Sequence, residues 1–119
     1  MPSARFGLPQ AIRLRKTAEY RRVYQEGSRF TGPLFAAFYR RGEPGRPSRV
    51  GYTTPRALGK AVTRNRIRRR LREAVRVRLP GLAPGWEVVF NPRRALLEAE
   101  FRRLEAEVER LFDKLRDKP

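Results

Sequence analysis

The sequence lacks cysteine and histidine altogether, and acidic residues are scarce over most of its length. These absences exclude disulfides, thiolate or imidazole metal sites, a cysteine nucleophile and a histidine general base. Outside the C-terminal segment the acids stand one at a time, at Glu19, Glu26, Glu43, Glu73 and Glu87. No carboxylate pair and no glycine-rich phosphate loop is visible. We therefore expect neither a catalytic site nor a metal site built from protein side chains.

Long apolar segments are absent as well. No run approaches the length of a membrane span, and the N-terminus has no signal-like apolar stretch, so the expected protein is cytoplasmic and has no membrane partner. The chain has 119 residues, of which 39% are hydrophobic. That length suits one domain, 1–119, with a proper core. Residues 1–12 contain Pro2, Gly7 and Pro9 and are predicted to form an irregular arm.

The charge is strongly positive, at +17 from 29 basic and 12 acidic residues. Only four of the bases are lysines, and arginine suits nucleic acid because its planar fork binds phosphates bidentately and stacks on bases. A GC-rich genome or a hot habitat would give the same bias without a functional reason. Residues 98–119 hold seven acids and six bases, so the excess charge lies in residues 1–97. This distribution favours a phosphate-rich partner for the first four-fifths of the chain.

Hydrophobic periodicity predicts the order helix, two or three strands, helix, strand, helix. The first helix is expected to be capped by Thr17 and to end at Gly27. Two antiparallel strands are predicted at residues 34–40 and 50–53, joined by the turn at 42–47. Another strand is predicted at Trp86–Phe90, where Asn91-Pro92 ends it, and a further strand is indicated at Phe30. The last helix is predicted to span residues 97–116. This order fits an α+β domain, a two-layer α/β sandwich in which three helices pack a mixed four-stranded sheet.

The segment from Lys60 to Arg78 is the most informative, because it holds nine basic residues and a single acid, Glu73. Apolar residues fall on one helical stripe, so the arginines project from the other side. The stripe consists of Ile67, Leu71, Ala74, Val75 and Leu79. An ordinary solvated helix face would interleave acids one turn away from its bases. This helix is therefore predicted to pack on a core with one face and to contact nucleic acid with the other.

Two further features leave alternatives open. Asn65 stands between Arg64 and Arg66, where it could bond a base edge or a sugar hydroxyl, or satisfy local backbone. Tyr20 and Tyr24 lie one helical turn apart. They could belong to the core, or they could stack on unpaired bases at the edge of a basic groove.

Residues 59–69 (GKAVTRNRIRR) resemble the signature of the bacterial ribonuclease P protein subunit, an Arg-Asn-Arg followed by a basic pair. The resemblance extends over about residues 12–112 and includes the helix with Tyr20, Tyr24 and Gly27 and the strand at 50–53. It implies a ribosomal-protein-type fold with a left-handed crossover into the arginine helix, against the usual hand.

The resemblance also implies a function. The protein would join a catalytic RNA that holds Mg²⁺ and removes the 5′ leader of precursor tRNA, while the polypeptide alone is inactive and binds no cofactor. The residues expected to contact RNA are Arg56, Lys60, Arg64, Asn65, Arg66, Arg68, Arg69, Arg72 and Arg76. Those expected to line a leader cleft are Tyr20, Tyr24, Phe38 and Tyr52.

Three positions depart from the family pattern. Phe38 stands where an aromatic hydroxyl is common, Pro55 replaces a small polar residue, and Lys60 replaces a frequent asparagine. The competing interpretation is a non-catalytic ribosomal or RNA-chaperone protein, which copurification with intact ribosomal subunits would indicate. A DNA-binding module is a weaker alternative, because the arginine helix is joined to a sheet and not to a helix-turn-helix.

Overall fold

A computed structural model of the protein describes residues 13–116 and residue 118, so the predicted arm at 1–12 lies outside the described residues. Three α-helices and four strands follow in the predicted order. They are α1 (Thr17–Glu26), β1 (Ser28–Thr31), β2 (Phe35–Arg41), β3 (Arg49–Tyr52), α2 (Ala61–Arg78), β4 (Trp86–Pro92) and α3 (Phe101–Arg116). Short 3₁₀ turns stand at Arg56–Leu58, Leu79–Gly81 and Arg94–Leu97.

The four strands form one mixed sheet in the order β1-β2-β4-β3. β4 pairs antiparallel with β2 and parallel with β3. The strands on either side of the 42–47 turn therefore run antiparallel, as predicted, but they are not neighbours, because β4 lies between them. α2 lies in the crossover connection between the two parallel strands, β3 and β4. The left-handed sense of this connection stays a prediction.

The main core lies between one face of the sheet and the helices α2 and α3. The apolar stripe of α2 is confirmed at Ile67, Leu71, Ala74 and Val75, which are fully buried. Leu79, its predicted last member, is half-buried in the 3₁₀ turn that follows α2. The corresponding stripe of α3 includes Leu104, Val108, Leu111, Phe112 and Leu115, all buried. The α+β class with a mixed four-stranded sheet and three helices is thereby confirmed, and α2, α3 and the sheet form its two main layers.

α1 packs on the opposite face of the sheet and adds a partial third layer. Its apolar contact is small: Leu14, Val23 and Val89 are buried together, and Tyr20 and Phe38 pack against them half-buried. Alternation along the strands explains this division, since successive side chains of a strand point to opposite faces. The edge of the sheet beyond β3 is covered in part by a parallel bridge from residue 13 to residue 50.

Three predicted boundaries are wrong. Lys16, not Thr17, is the N-cap of α1, and the carboxylate of Glu19 accepts its backbone N–H at 3.0 Å. β4 continues to Pro92, because this residue takes the last ladder position, where a proline can end a strand. The last helix begins at Phe101, because residues 94–97 close a separate 3₁₀ turn before it.

Candidate nucleic-acid interface

The outer face of α2 presents exposed basic side chains with few acids near them. Arg66 and Arg69 are exposed, and no described residue forms an ion pair or hydrogen bond with either side chain. The first turn of α2 has no acid and no side-chain cap at Lys60, so its positive dipole end adds to this charge. Arg56, just before α2, is exposed as well. The face can therefore receive phosphates without first breaking internal contacts.

A second row on α2 turns toward the end of β3. Arg68 donates from Nη1 to Oγ1 of Thr54 at 3.1 Å, and the guanidinium carbon of Arg72 lies 6.0 Å from the ring centre of Tyr52. Both arginines line a cavity of about 160 Å³ together with Arg13 and Tyr20. Arg64 precedes Arg68 by one turn and is half-buried. This row is held closer to the protein than Arg66 and Arg69.

Of the two predicted roles of Asn65, the bond to local backbone is not seen among the described residues, and the contact with a base or sugar stays a prediction. Its side-chain oxygen accepts a hydrogen bond from the guanidinium of Arg68 and not from local backbone. The residue itself is exposed. Asn65 thereby fixes the position of one arginine and remains accessible to a ligand on the same helix face.

Other arginines of α2 serve the fold or are partly neutralised. Arg70 donates to the carbonyl of Ala99, and its guanidinium carbon lies 5.9 Å from the ring centre of Phe101. Arg78 lies 3.3 Å from Glu109 on α3. Arg76 belongs to the predicted RNA-contacting set and is exposed, but it forms an ion pair with Glu73 at 2.5 Å. Charge alone therefore does not identify which arginines can meet a ligand.

Aromatic and polar side chains line the junction between α1 and the sheet, and we call this junction the cleft. The hydroxyl of Tyr24 donates to Oδ1 of Asn91 at 2.9 Å, and Oγ1 of Thr53 donates to the same oxygen at 3.0 Å. The ring of Phe38 meets Tyr24 edge-on, with ring centres 4.9 Å apart, and the guanidinium carbon of Arg29 lies 5.6 Å from the Phe38 ring centre. Thr53 adjoins Thr54, the residue that binds Arg68. These aromatic and polar side chains are therefore adjacent to the second row of arginines on α2.

Tyr20 lies beside Tyr24 but is held by the protein. Its hydroxyl donates to the carbonyl of Leu14 at 3.4 Å and accepts the N–H of Tyr52 at 3.3 Å. Burial raises the pKa of this phenol. The contact requires glycine at position 51, because a Cβ there would lie 2.4 Å from the Tyr20 oxygen. Tyr20 therefore attaches α1 to β3, and less of its ring is available to a ligand than that of Tyr24.

The ring of Tyr52 is separated from Tyr24 and Phe38, although Tyr52 lines the cavity of about 160 Å³ together with Tyr20. Its side chain lies on the opposite face of the sheet, where its ring stacks on Phe90 with centres 5.6 Å apart. Burial raises the pKa of the phenol, and the nearby Arg72 offsets part of that rise. The prediction that Tyr52 lines the α1 cleft is thus wrong, because Gly51 and Thr53 are the residues of this segment that face α1.

Three residues of the cleft were missed by the sequence analysis, namely Arg29, Thr53 and Asn91. Asn91 was interpreted only as the end of a strand. It follows Val89 by two positions, and alternation would have placed both on the face that packs against α1. That signal becomes usable only when β4 is known to extend past Phe90.

Across residues 13–116 and 118, no three potential metal-binding side chains come together. The same residues include no helix long and apolar enough to cross a bilayer.

Glu19 gives α1 a pH-dependent attachment. One carboxylate oxygen accepts the N–H groups of Arg15 and Lys16, each at 3.0 Å, and the other accepts the guanidinium of Arg49. Burial by itself would raise the pKa of Glu19, but these hydrogen bonds and the charge of Arg49 lower it from 4.5 to about 2. Because the folded-state pKa is the lower one, this stabilisation is complete above pH 4.5 and is lost as the pH falls toward 2.

We expect Glu19→Gln to remove this part of the acid sensitivity. The free energy of unfolding, measured by urea denaturation between pH 6 and pH 2, should fall less steeply in the variant than in the wild type. Glu43→Gln makes the same charge change at an exposed site and should keep the wild-type slope. Equal slopes for Glu19→Gln and wild type would contradict the assignment.

Comparison with known proteins agrees with this geometry. The sequence model of the family described as Ribonuclease P matches residues 8–116 of this chain. The ribonuclease P protein component of Roseiflexus sp. (strain RS-1) is 44% identical over 111 residues, covering 90% of this chain and 88% of that one. The corresponding Symbiobacterium thermophilum protein is 37% identical and covers 90% of this chain and 93% of its own length. The solved RNase P protein from Thermotoga maritima superposes with a TM-score of 0.75 at 26% identity, covering 86% and 96% of the two chains. The chain therefore belongs to the ribonuclease P protein family.

Proposed function

We propose that this protein is the protein subunit of ribonuclease P and assists a catalytic RNA in removing the 5′ leader of precursor tRNA. The observation that carries the proposal is the continuity of two surfaces, the arginine face of α2 and the aromatic cleft under α1, which meet at Thr53 and Thr54. Family membership supports the same role. Among the described residues nothing favours a ribosomal or RNA-chaperone protein instead. Copurification with one large RNA, and not with ribosomal subunits, tests this choice.

The arginine face of α2 is proposed to bind the RNA subunit. Arg66 and Arg69 offer guanidinium groups that have no partner among the described residues, and Lys60 and Arg64 extend the same positive surface. Phosphates bound there would release condensed counterions, so the affinity should depend strongly on salt. Mg²⁺ would be held by the RNA, because the described carboxylates occur singly or in ion pairs with arginine. Such a role would place the protein in the bacterial cytoplasm.

The cleft under α1 is proposed to hold the single-stranded leader. Tyr24 and Phe38 offer aromatic surfaces on which bases can stack, and Arg29 adds a cation beside them. The side-chain oxygen Oδ1 of Asn91 already accepts two hydrogen bonds. No described residue accepts a hydrogen bond from the side-chain nitrogen Nδ2 of Asn91. That nitrogen can therefore donate to a base or a sugar. Phe38 offers the leader no hydroxyl, so polar contacts in this cleft fall to Tyr24, Thr53 and Asn91.

The protein without RNA is predicted not to cleave precursor tRNA at any Mg²⁺ concentration. The chain lacks histidine and cysteine, and Glu87, the acid on β4, is bound by arginines. Addition of a bacterial ribonuclease P RNA should give leader cleavage at a lower Mg²⁺ concentration than the RNA needs alone. Cleavage at the leader junction by rigorously RNA-free protein would contradict the proposal.

Replacing Tyr24 and replacing Tyr20 should have different effects on tRNA binding by the reconstituted holoenzyme. Tyr24→Ala is expected to weaken the binding of precursor tRNA by about 1–3 kcal/mol, the value of one stacked base, and to leave mature tRNA unaffected. Tyr20→Ala should instead lower the melting temperature of the protein, because its hydroxyl joins α1 to β3. Equal losses of precursor and mature tRNA affinity in Tyr24→Ala would remove Tyr24 from the leader site.

A further inference from the structure

Five charged side chains form a continuous ion-paired chain beneath α1. It begins at Glu26, 3.3 Å from Arg40, and continues from Arg40 to Glu87 at 2.6 Å. Glu87 lies 3.7 Å from Arg49, and Arg49 pairs in turn with Glu19. We call these five residues the clamp. It leaves the last turn of α1 at Glu26, crosses β2, β4 and β3, and returns to the first turn at Glu19.

The clamp is sheltered from solvent at its centre. The side chains of Arg40, Arg49 and Glu87 are 20%, 18% and 12% exposed, whereas Glu26 is 58% exposed. Charged pairs with so little solvent contact interact more strongly than surface pairs and are costly to break on one side only. Glu87 is the centre of the arrangement, because it alone contacts both arginines.

The rest of the attachment of α1 is small. Among the described residues, Leu14, Val23 and Val89 are buried between this helix and the sheet, and Tyr20 and Phe38 pack against them half-buried. A ten-residue helix with so little buried apolar area is not fixed in position by packing alone. Among the described residues, the clamp, the Tyr20 hydroxyl and the hydrogen bond from Tyr24 to Asn91 are the polar contacts that hold α1 against the sheet.

The clamp and the cleft lie along opposite long edges of α1. Glu19 and Glu26 are seven residues apart and share one edge, while Tyr20 and Tyr24 turn toward Gly51 and Asn91. On the clamp side Glu87 is also confined by the backbone, since a Cβ at Gly42 would lie 3.2 Å from its Cγ. The clamp therefore spans one edge of α1 beside a hollow of about 500 Å³, and Tyr24 with Asn91 lies along the other edge.

We propose that Glu87 is a positioning residue, which by holding Arg40 and Arg49 sets the distance between α1 and the sheet and so the width of the leader cleft. This proposal rests on the proposed function, because it assumes that the leader occupies the cleft. Glu87 acts through the two arginines and touches no RNA. The expected partner of the positioned cleft remains a single-stranded 5′ leader.

The first test compares Glu87→Gln with Glu43→Gln in the reconstituted holoenzyme. Both variants remove one negative charge from the same hollow of about 500 Å³, but among the described residues Glu43 forms an ion pair with Arg46 alone. Glu87→Gln should raise KM for precursor tRNA at least about fivefold, the lower end for coupling between separate sites. Its kcat, its mature tRNA affinity and its RNA-subunit affinity should match those of Glu43→Gln. A KM equal to that of Glu43→Gln, or a uniform loss for all three RNAs, would overturn the proposal.

A second measurement reports the position of α1 without any RNA. The native chain has no cysteine, so Gln25→Cys on α1 and Ala106→Cys on α3 can carry a pair of spin labels at exposed sites. Glu87→Gln should shift or broaden the distance distribution of this pair, and Glu43→Gln should not. An unchanged distribution overturns the clamp itself. A changed distribution with unchanged KM overturns the link to the leader, and so identifies the proposed leader site as the part that fails.

Glu26→Gln is a variant that should fold like the wild type, because the Glu26 side chain is largely exposed. It releases only the outer end of the clamp, so it should change both readouts in the same direction as Glu87→Gln but less. Arg49→Lys keeps the charge while losing the fork that reaches two carboxylates, and it should resemble Glu87→Gln. Wild-type values for both variants would overturn the proposal.

Discussion

Arg66→Ala combined with Arg69→Ala is expected to weaken binding of the ribonuclease P RNA roughly a hundredfold, at about 1.5 kcal/mol for each lost charged hydrogen bond. Neither side chain has a partner among the described residues, so no internal contact is lost with it. Each lost phosphate contact in a duplex region should also flatten the slope of log affinity against log salt by about 0.9. The measurement is a binding titration at several salt concentrations.

An equal-charge control decides whether position or net charge matters. Arg102→Ala with Arg103→Ala removes two exposed arginines from α3, away from the outer face of α2. This control should keep the affinity and the slope near wild-type values. Similar losses in both double variants would mean that the protein binds RNA through its overall charge and has no specific arginine face. All variants should show the wild-type thermal melt.

The largest loss of stability is expected for Glu107→Ala. Glu107 lies on α3 and is only 4% exposed, and one of its oxygens accepts the N–H groups of Leu34 and Phe35 at 3.0 and 2.9 Å. Removing the carboxylate leaves two buried donors without an acceptor, at about 1–3 kcal/mol each. We expect a loss of about 4 kcal/mol in the free energy of unfolding, measured by urea denaturation.

Glu109→Ala is the matched control for this prediction. It removes a carboxylate two residues along the same helix, but that side chain is 53% exposed and pairs with Arg78 at 3.3 Å. A surface ion pair of this kind contributes about 0–1 kcal/mol. Comparable losses in the two variants would show that the buried hydrogen bonds of Glu107 do not hold the turn between β1 and β2.

The sequence predicted well what depends on local periodicity. The stripe through Ile67, Leu71 and Val75 identified α2, and the observed helix Ala61–Arg78 lies within the basic segment from Lys60 to Arg78. The exposed Arg66 and Arg69 follow directly from that stripe, because a helix repeats every 3.6 residues. One amphipathic helix and its polar face can be located without knowing what covers the apolar side.

What depends on distant pairing could not be predicted. Tyr52 was assigned to the cleft with Tyr24, but the register of β3 against β4 turns its ring toward Phe90. Asn91 was overlooked for the same reason, since its role requires β4 to lie beside β2. Glu107 belongs to the C-terminal segment, whose net charge is close to zero. Its buried carboxylate reaches Leu34, 73 residues earlier, and no local pattern reports such a contact.

The late position of β4 in the chain has a consequence for folding during synthesis. β4 pairs with both β2 and β3, yet residues 86–92 leave the ribosome after α2 is complete. The β1–β2 hairpin can form early, but until β4 arrives β3 has no neighbouring strand among its sheet partners and α2 has no completed sheet to cover its apolar stripe. Pairings of such long sequence separation form slowly. A nascent chain that stalls before Trp86 therefore exposes apolar and strongly basic surface together, a combination that invites aggregation with cellular RNA.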